Sequence, residues 1–267
     1  MSQAPVQPAD RPAVVLLHSS GGSPRQWQEL VEQLRHDFRV LPIEFHGHGM
    51  RPDWAHDRRM MLADDAALAV PLLRQVGGAH VVGHSYGAAV ALKLACMHPE
   101  LVRSVAAYEP VLFRMLIEDT AHPHLAQAVL RTAVSMRDCV KEGDAARAAR
   151  LFVEFWSGAH AWQAMDAKAH QSVEARMPSV IRHFEALFAE PFAHEALART
   201  TVPMLLLSGS RSVDVARRIA QLLRAALPLA EHLELPGMGH MGPVTHARMV
   251  NEQLSQFLRD LKGPGSA

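Results

Sequence analysis

Short apolar runs recur along the chain, separated by longer stretches of helical periodicity. Residues 13–17, 38–43, 80–82 and 102–108 are apolar runs too short for helices and bounded by small or polar residues. Such runs read as strands buried on both faces. Between the first two, residues 24–35 put Trp27, Leu30, Val31 and Leu34 on one helical face behind Pro24, a residue suited to a first turn. Residues 60–76 are also helical in pattern, with Pro71 marking a kink or a first turn, and 88–96 are rich in Ala and Leu. The first 110 residues thus alternate strand and helix, which predicts an α/β fold: a parallel sheet with helices on both faces.

Residues 112–198 break the alternation. They are helical in pattern with no convincing strand, and they carry Phe152, Phe155, Trp156, Trp162, Phe184, Phe188 and Phe192. These aromatics suit either the wall of an apolar cavity or the core of a small helical subdomain. The sheet pattern resumes at 202–207, followed by a helix at 213–226, a strand at 231–235 and a last helix to Lys262. Residues 1–12 and 263–267 read as loose tails.

Composition narrows the function classes. The 267 residues, 49% hydrophobic and 20% charged, suit one domain with a large core and room for an inserted subdomain. Lys+Arg and Asp+Glu both number 27, so no net field steers nucleic acid or an anionic membrane, and a small-molecule substrate is the expected partner. Oligomeric state is not legible. No run approaches the ~20 apolar residues of a membrane span. Residues 1–11 are polar and proline-rich, unlike a secretory leader, so a cytoplasmic location is expected. Cys96 and Cys139 read as free thiols in a reducing compartment. The 17 histidines are scattered; the tight pairs His46/His48 and His122/His124 lack the Cys or carboxylate cluster that completes a metal site. No metal or cofactor is expected.

The stretch that carries chemistry is Gly83-His84-Ser85-Tyr86-Gly87, set between the run at 80–82 and the helix at 88–96. In that context Gly-x-Ser-x-Gly is a nucleophile elbow: Ser85 is pushed out at the end of the sheet on a tight turn. The Tyr86 N–H then lies at a helix N-terminus, placed to stabilise an oxyanion. Three other loops follow strands: His18-Ser-Ser-Gly-Gly, His46-Gly-His-Gly49, and Gly237-Met-Gly-His240. Loops after parallel strands gather at one edge of the sheet, where such folds bind ligands. His240, late in the chain and among glycines, is the candidate base for Ser85.

This layout resembles the α/β-hydrolase superfamily over nearly the whole chain. The resemblance implies a mostly parallel sheet of about six strands flanked by helices, with 13–111 and 199–262 as the two parts of the core and 112–198 as a helical cap. It implies a Ser-His-acid triad and an oxyanion hole formed by Tyr86 and the His18 loop, with Ser20 the expected donor and Ser19 or Gly21 the alternatives. His18 and His84 are read as structural. Two features depart from the family: Ser19 stands where glycine is usual, and too little chain precedes Ala13 for the family's first antiparallel strands. The acid is displaced as well. Counting three residues from Gly209 gives Ser212, which cannot stabilise an imidazolium. Glu109, ending the strand after the elbow helix, is the preferred acid, because an unpaired charge at the end of an apolar strand would be costly. Asp214, which also fits a helix N-terminus, is the alternative. The expected activity is serine hydrolysis of a small, partly apolar carboxylic ester through an acyl-enzyme. Carbon–carbon, lactone or amide hydrolysis and a non-catalytic ligand-binding role are the alternatives.

Overall fold

The computed structural model describes residues 11–191 and 194–261; Phe192, Lys262 and most of the two predicted tails lie outside the described residues. Six strands build one sheet: β1 (Ala13–Leu17), β2 (Arg39–Ile43), β3 (Ala79–His84), β4 (Val102–Tyr108), β5 (Met204–Gly209) and β6 (Glu231–Leu235). Their order is β2-β1-β3-β4-β5-β6 and every pairing is parallel. The order reverses between β1 and β3, so the loops after these two strands flank the switch point where such sheets form a crevice.

Helices follow in chain order: α1 (Gln28–Leu34), α2 (Leu62–Ala67), α3 (Val70–Gln75), α4 (Tyr86–Met97), α5 (Phe113–Glu118), α6 (Pro123–Lys141), α7 (Ala145–Ser157), α8 (Ala167–Glu174), α9 (Met177–Ala189), α10 (His194–Ala198), α11 (Asp214–Ala226), α12 (Gly242–Thr245) and α13 (Ala247–Asp260). A 3-10 turn, Pro24–Trp27, leads into α1. The stretch 60–76 forms two helices rather than one. Pro71 sits in the first turn of α3, where its missing N–H costs nothing; inside a continuous helix it would break the ladder.

Side chains of the central strands alternate between two cores. Val15, Leu17, Val81, Val105 and Ala107 join one cluster with α2 and α4, whereas Val14, Leu16, Val82 and Ala106 join another with Leu30, Leu34, Leu254 and Leu258 of α1 and α13. Helices α5 to α10 stand between β4 and β5. Phe113 packs against Phe184 and Phe188, each with centroids 5.1 Å apart; Phe152 and Trp156 pack against Phe184 and Phe113 at 6.1 and 6.4 Å and also line a cavity. Among the described residues, no helix is long and apolar enough to cross a membrane.

Candidate active site

Ser85 alone turns the chain from β3 into α4. Its backbone lies at φ 56°, ψ −115°, a conformation L-residues rarely adopt and one that marks stored strain. Two glycines make the turn possible. A Cβ on Gly83 would come within 2.4 Å of Gly87 O, and one on Gly87 within 2.5 Å of the Leu17 and His18 carbonyls. Among the described residues, the only other non-glycine with positive φ is Glu109, at 45°. The sheet register makes the two strained residues neighbours, because β3 and β4 pair His84 with Tyr108, the residue before each. The Ser85 N–H donates to Tyr108 O at 2.9 Å, and the Glu109 N–H to Leu207 O at 2.9 Å.

His240 arrives between them from the loop after β6. Ser85 Oγ is 2.9 Å from His240 Nε2, and His240 Nδ1 is 2.7 Å from Glu109 Oε2. The second carboxylate oxygen, Oε1, accepts from the Gly209 N–H at 2.7 Å and from the Ser212 hydroxyl. Glu109 and His240 are 1% and 2% exposed, so these partners stand in for the water that burial removes. Ser212, at the position where the family resemblance puts an acid, thus donates to an acid that comes from β4.

Asp214 is not part of this site. It opens α11, its side chain is 81% exposed, and its recorded partner is Arg217 at 3.6 Å. Asp214, the alternative acid of the sequence, is here a solvated first-turn carboxylate, placed where the helix dipole favours negative charge.

The His240 loop is tied to the loop after β5, where Arg211 N–H donates to Met238 O and Gly237 N–H to Ser210 Oγ, both at 2.8 Å, and to three residues around the elbow. His84 Nε2–H donates to His240 O at 2.8 Å, and Tyr108 Oη–H donates to Gly239 O at 2.7 Å. Burial, with the neighbouring His240 ring adding to it, holds the His84 pKa well below the usual histidine range, which keeps the ring neutral. Trp156 of α7 stacks on the His240 imidazole with centroids 4.1 Å apart.

The loop after β1 faces the elbow. His18 is buried and its pKa is lowered to about 4, chiefly by desolvation. Its Nδ1–H donates to Ser19 O at 2.7 Å, while Nε2 accepts from the Phe45 N–H at 3.4 Å. The loop's amides are largely committed. Ser19 N–H donates to Gln26 Oε1, Gly21 N–H to His48 Nε2, and Gly22 N–H to Ser19 O. Among the described residues, the Ser20 N–H has no such acceptor, and Tyr86 N–H is the first of α4. Ser20, Ser85 and His240 line a cavity of about 480 Å³ whose walls include Phe152, Trp156, Met165 and Val244. Among the described residues, no Asp, Glu, Lys or Arg lines it.

Sequence reasoning missed the partners of these residues: Ser212 on Glu109, the His84 tether and the Trp156 stack. Each is set by tertiary geometry, so no local pattern announces it. The pairs His46/His48 and His122/His124 join no metal-holding group of three or more His, Cys, Asp or Glu among the described residues.

Comparison with known proteins places the chain in context. A family model described as "Alpha/beta hydrolase family" matches residues 14–253. A Variovorax paradoxus protein named "Putative carbamate hydrolase RutD" is 30% identical over 268 residues, covering 97% of this chain and 96% of the relative. Among solved structures, the α/β hydrolase MGS-M2 from a Medee basin deep-sea metagenome library superposes with TM-score 0.80 at 15% identity, covering 96% of this chain and 92% of that one. A carboxylesterase structure from Nitrososphaera gargenis superposes with TM-score 0.76 at 20% identity, covering 96% and 93%. At these identities the two structures share the fold.

Proposed function

This chain belongs to the α/β-hydrolase family, and from that premise we propose that it is a serine hydrolase acting on the carbonyl of a small, neutral, partly apolar carboxylic ester. The observation that carries the proposal is the unbroken chain Ser85 Oγ–His240 Nε2, 2.9 Å, and His240 Nδ1–Glu109 Oε2, 2.7 Å, at the wall of a cavity without charged side chains.

The chemistry follows from the groups in place. Ser85 Oγ–H donates to His240 Nε2, which takes the proton as Oγ attacks the acyl carbon. Glu109 accepts from His240 Nδ1–H, fixes the tautomer and stabilises the imidazolium. The carbonyl oxygen, now negative, is held by the N–H groups of Tyr86 and Ser20. Collapse expels the alcohol, which takes the proton from Nε2. Water, deprotonated by the same nitrogen, then attacks the acyl-enzyme, and the carboxylic acid leaves with Ser85 restored. The helices between β4 and β5 serve as a cap that keeps bulk water from Ser85 and packs the apolar part of the substrate.

The same steps apply to a carbamate, the group named in the relatives. A carboxylate 2.7 Å from His240 Nδ1 also speaks against the non-catalytic alternative. A panel of p-nitrophenyl esters and carbamates with short to medium apolar acyl groups tests the proposal. Turnover is expected on at least one class, and Ser85→Ala should lower kcat by roughly 10⁴–10⁶. Turnover that survives Ser85→Ala would overturn it.

A further inference from the structure

A second buried cluster adjoins the oxyanion loop and takes no part in the steps above. Asp65 of α2 accepts from the Tyr86 hydroxyl at 2.8 Å and from the His46 side chain and N–H at 2.7 and 3.2 Å. His183 of α9 brings Nε2 to 3.4 Å from Asp65 Oδ2, an electrostatic approach without an aligned hydrogen bond. Its other nitrogen, Nδ1, lies 2.9 Å from Ser20 Oγ. The ring lies flat against Tyr86, with centroids 3.7 Å apart and planes 3° apart. It is also near-parallel to His48 at 5.0 Å, and His48 holds the Gly21 N–H.

Protonation follows from the surroundings. A lone pair on Nε2 would face a carboxylate oxygen, which assigns the proton to Nε2 and makes Nδ1 the acceptor of the Ser20 hydroxyl. Burial lowers the His183 pKa, so the ring is neutral. Burial alone would raise the Asp65 pKa, but His183, His46 and Tyr86 outweigh it and hold the carboxyl well below its ordinary range.

What the cluster joins is specific. Ser20 and Tyr86 are the residues whose N–H groups are assigned to the oxyanion, and they lie on separate elements. Two donors stabilise one oxygen only if their separation is fixed, because catalytic geometry tolerates about 0.5 Å. We propose that Asp65 and His183 are positioning residues for the oxyanion hole: Asp65 anchors Tyr86 through its hydroxyl, and His183 ties Ser20 to the face of the same ring. Because His183 lies on α9, the segment between β4 and β5 helps set the hole as well as cover it. The proposal rests on the assignment of Ser20 and Tyr86 as donors.

Three variants test it: His183→Phe, which keeps a stacking ring; Tyr86→Phe, which keeps the backbone and ring; and Asp65→Asn. Active sites are counted by organophosphonate titration. Then kcat and KM for a p-nitrophenyl ester and Ki for a trifluoromethyl ketone, which forms a tetrahedral adduct, are measured per titrated site. Loss of one donor is worth about 10²–10³ in kcat, so a loosened pair should lower kcat by roughly 10- to 100-fold. KM should change little, and Ki should rise in step with the fall in kcat/KM. A merely structural role would lower Tm or the titrated fraction while leaving kcat per site and Ki in place. Folded variants with both values within about twofold of wild type would overturn the positioning role alone. If Asp65→Asn does not fold, His183→Phe and Tyr86→Phe decide. Failure of the wild-type protein to titrate would overturn the hydrolase reading and this inference together.

Discussion

Ser85–His240–Glu109 and Ser20–His183–Asp65 use nearly the same side-chain chemistry, both are buried, and both lie by the carboxyl edge of the sheet. Their contacts differ at each joint. Glu109 satisfies one oxygen with Gly209 N–H and Ser212 and keeps the other for His240 at 2.7 Å. Asp65 commits Oδ1 to His46 and Oδ2 to the Tyr86 hydroxyl, leaving His183 at 3.4 Å. Ser85 meets Nε2 of its histidine from a strained turn, whereas Ser20 meets Nδ1 from a loop whose neighbouring amides are already bonded. On the proposed reading, nearly the same residue types make a proton-transfer chain in one place and a brace in the other. What separates them is how the carboxylate's acceptor capacity is shared out, which is why a triad is recognised by geometry and roles.

The comparison can be broken at Glu109. Glu109→Gln keeps the shape but removes the charge and disturbs the tautomer, and kcat should fall by roughly 10³–10⁴. Near-full kcat in this variant would mean that Glu109 is a buried brace like Asp65. A smaller effect is expected at Ser212. Ser212→Ala removes one hydrogen bond to the carboxylate, worth roughly 1.5–3 kcal/mol. Since part of that loss falls on ground-state stability, kcat should drop only about tenfold, and a simultaneous fall in Tm measures the remainder. The smallest effect belongs to Asp214→Asn, assayed beside Glu109→Gln. With an exposed side chain and a loose surface pair, it should keep kcat within about twofold. A loss of orders of magnitude at Asp214 would reverse the choice of acid.

Much of the fold was legible because its signals are local. The all-buried run at 13–17 and the Ala/Leu-rich helix after Ser85 announce themselves by period, and the glycines at 83 and 87 are required by backbone approaches of 2.4–2.5 Å. The division of 60–76 into two helices was half legible, since Pro71 fits a kink or a first turn equally well. Ser85, His240 and Glu109 could be named from strand ends, and the structure brings these three together. The second cluster could not be read in the same way. Asp65, Tyr86, His183 and Ser20 come from α2, α4, α9 and the loop after β1, and their meeting depends on how the inserted helices pack. For the same reason no spacing rule announced that Phe152 and Trp156 would line the cavity beside Ser85.

Among the described residues three buried serines are hydrogen-bonded to a histidine, Ser85, Ser20 and Ser104, and the proposal makes Ser85 alone the nucleophile. Reaction with a fluorophosphonate probe followed by peptide mass spectrometry tests it most directly. A single adduct is expected on the peptide containing Ser85, absent from Ser85→Ala and retained in Ser20→Ala. An adduct on Ser20, or no adduct on the folded wild-type protein, would contradict it.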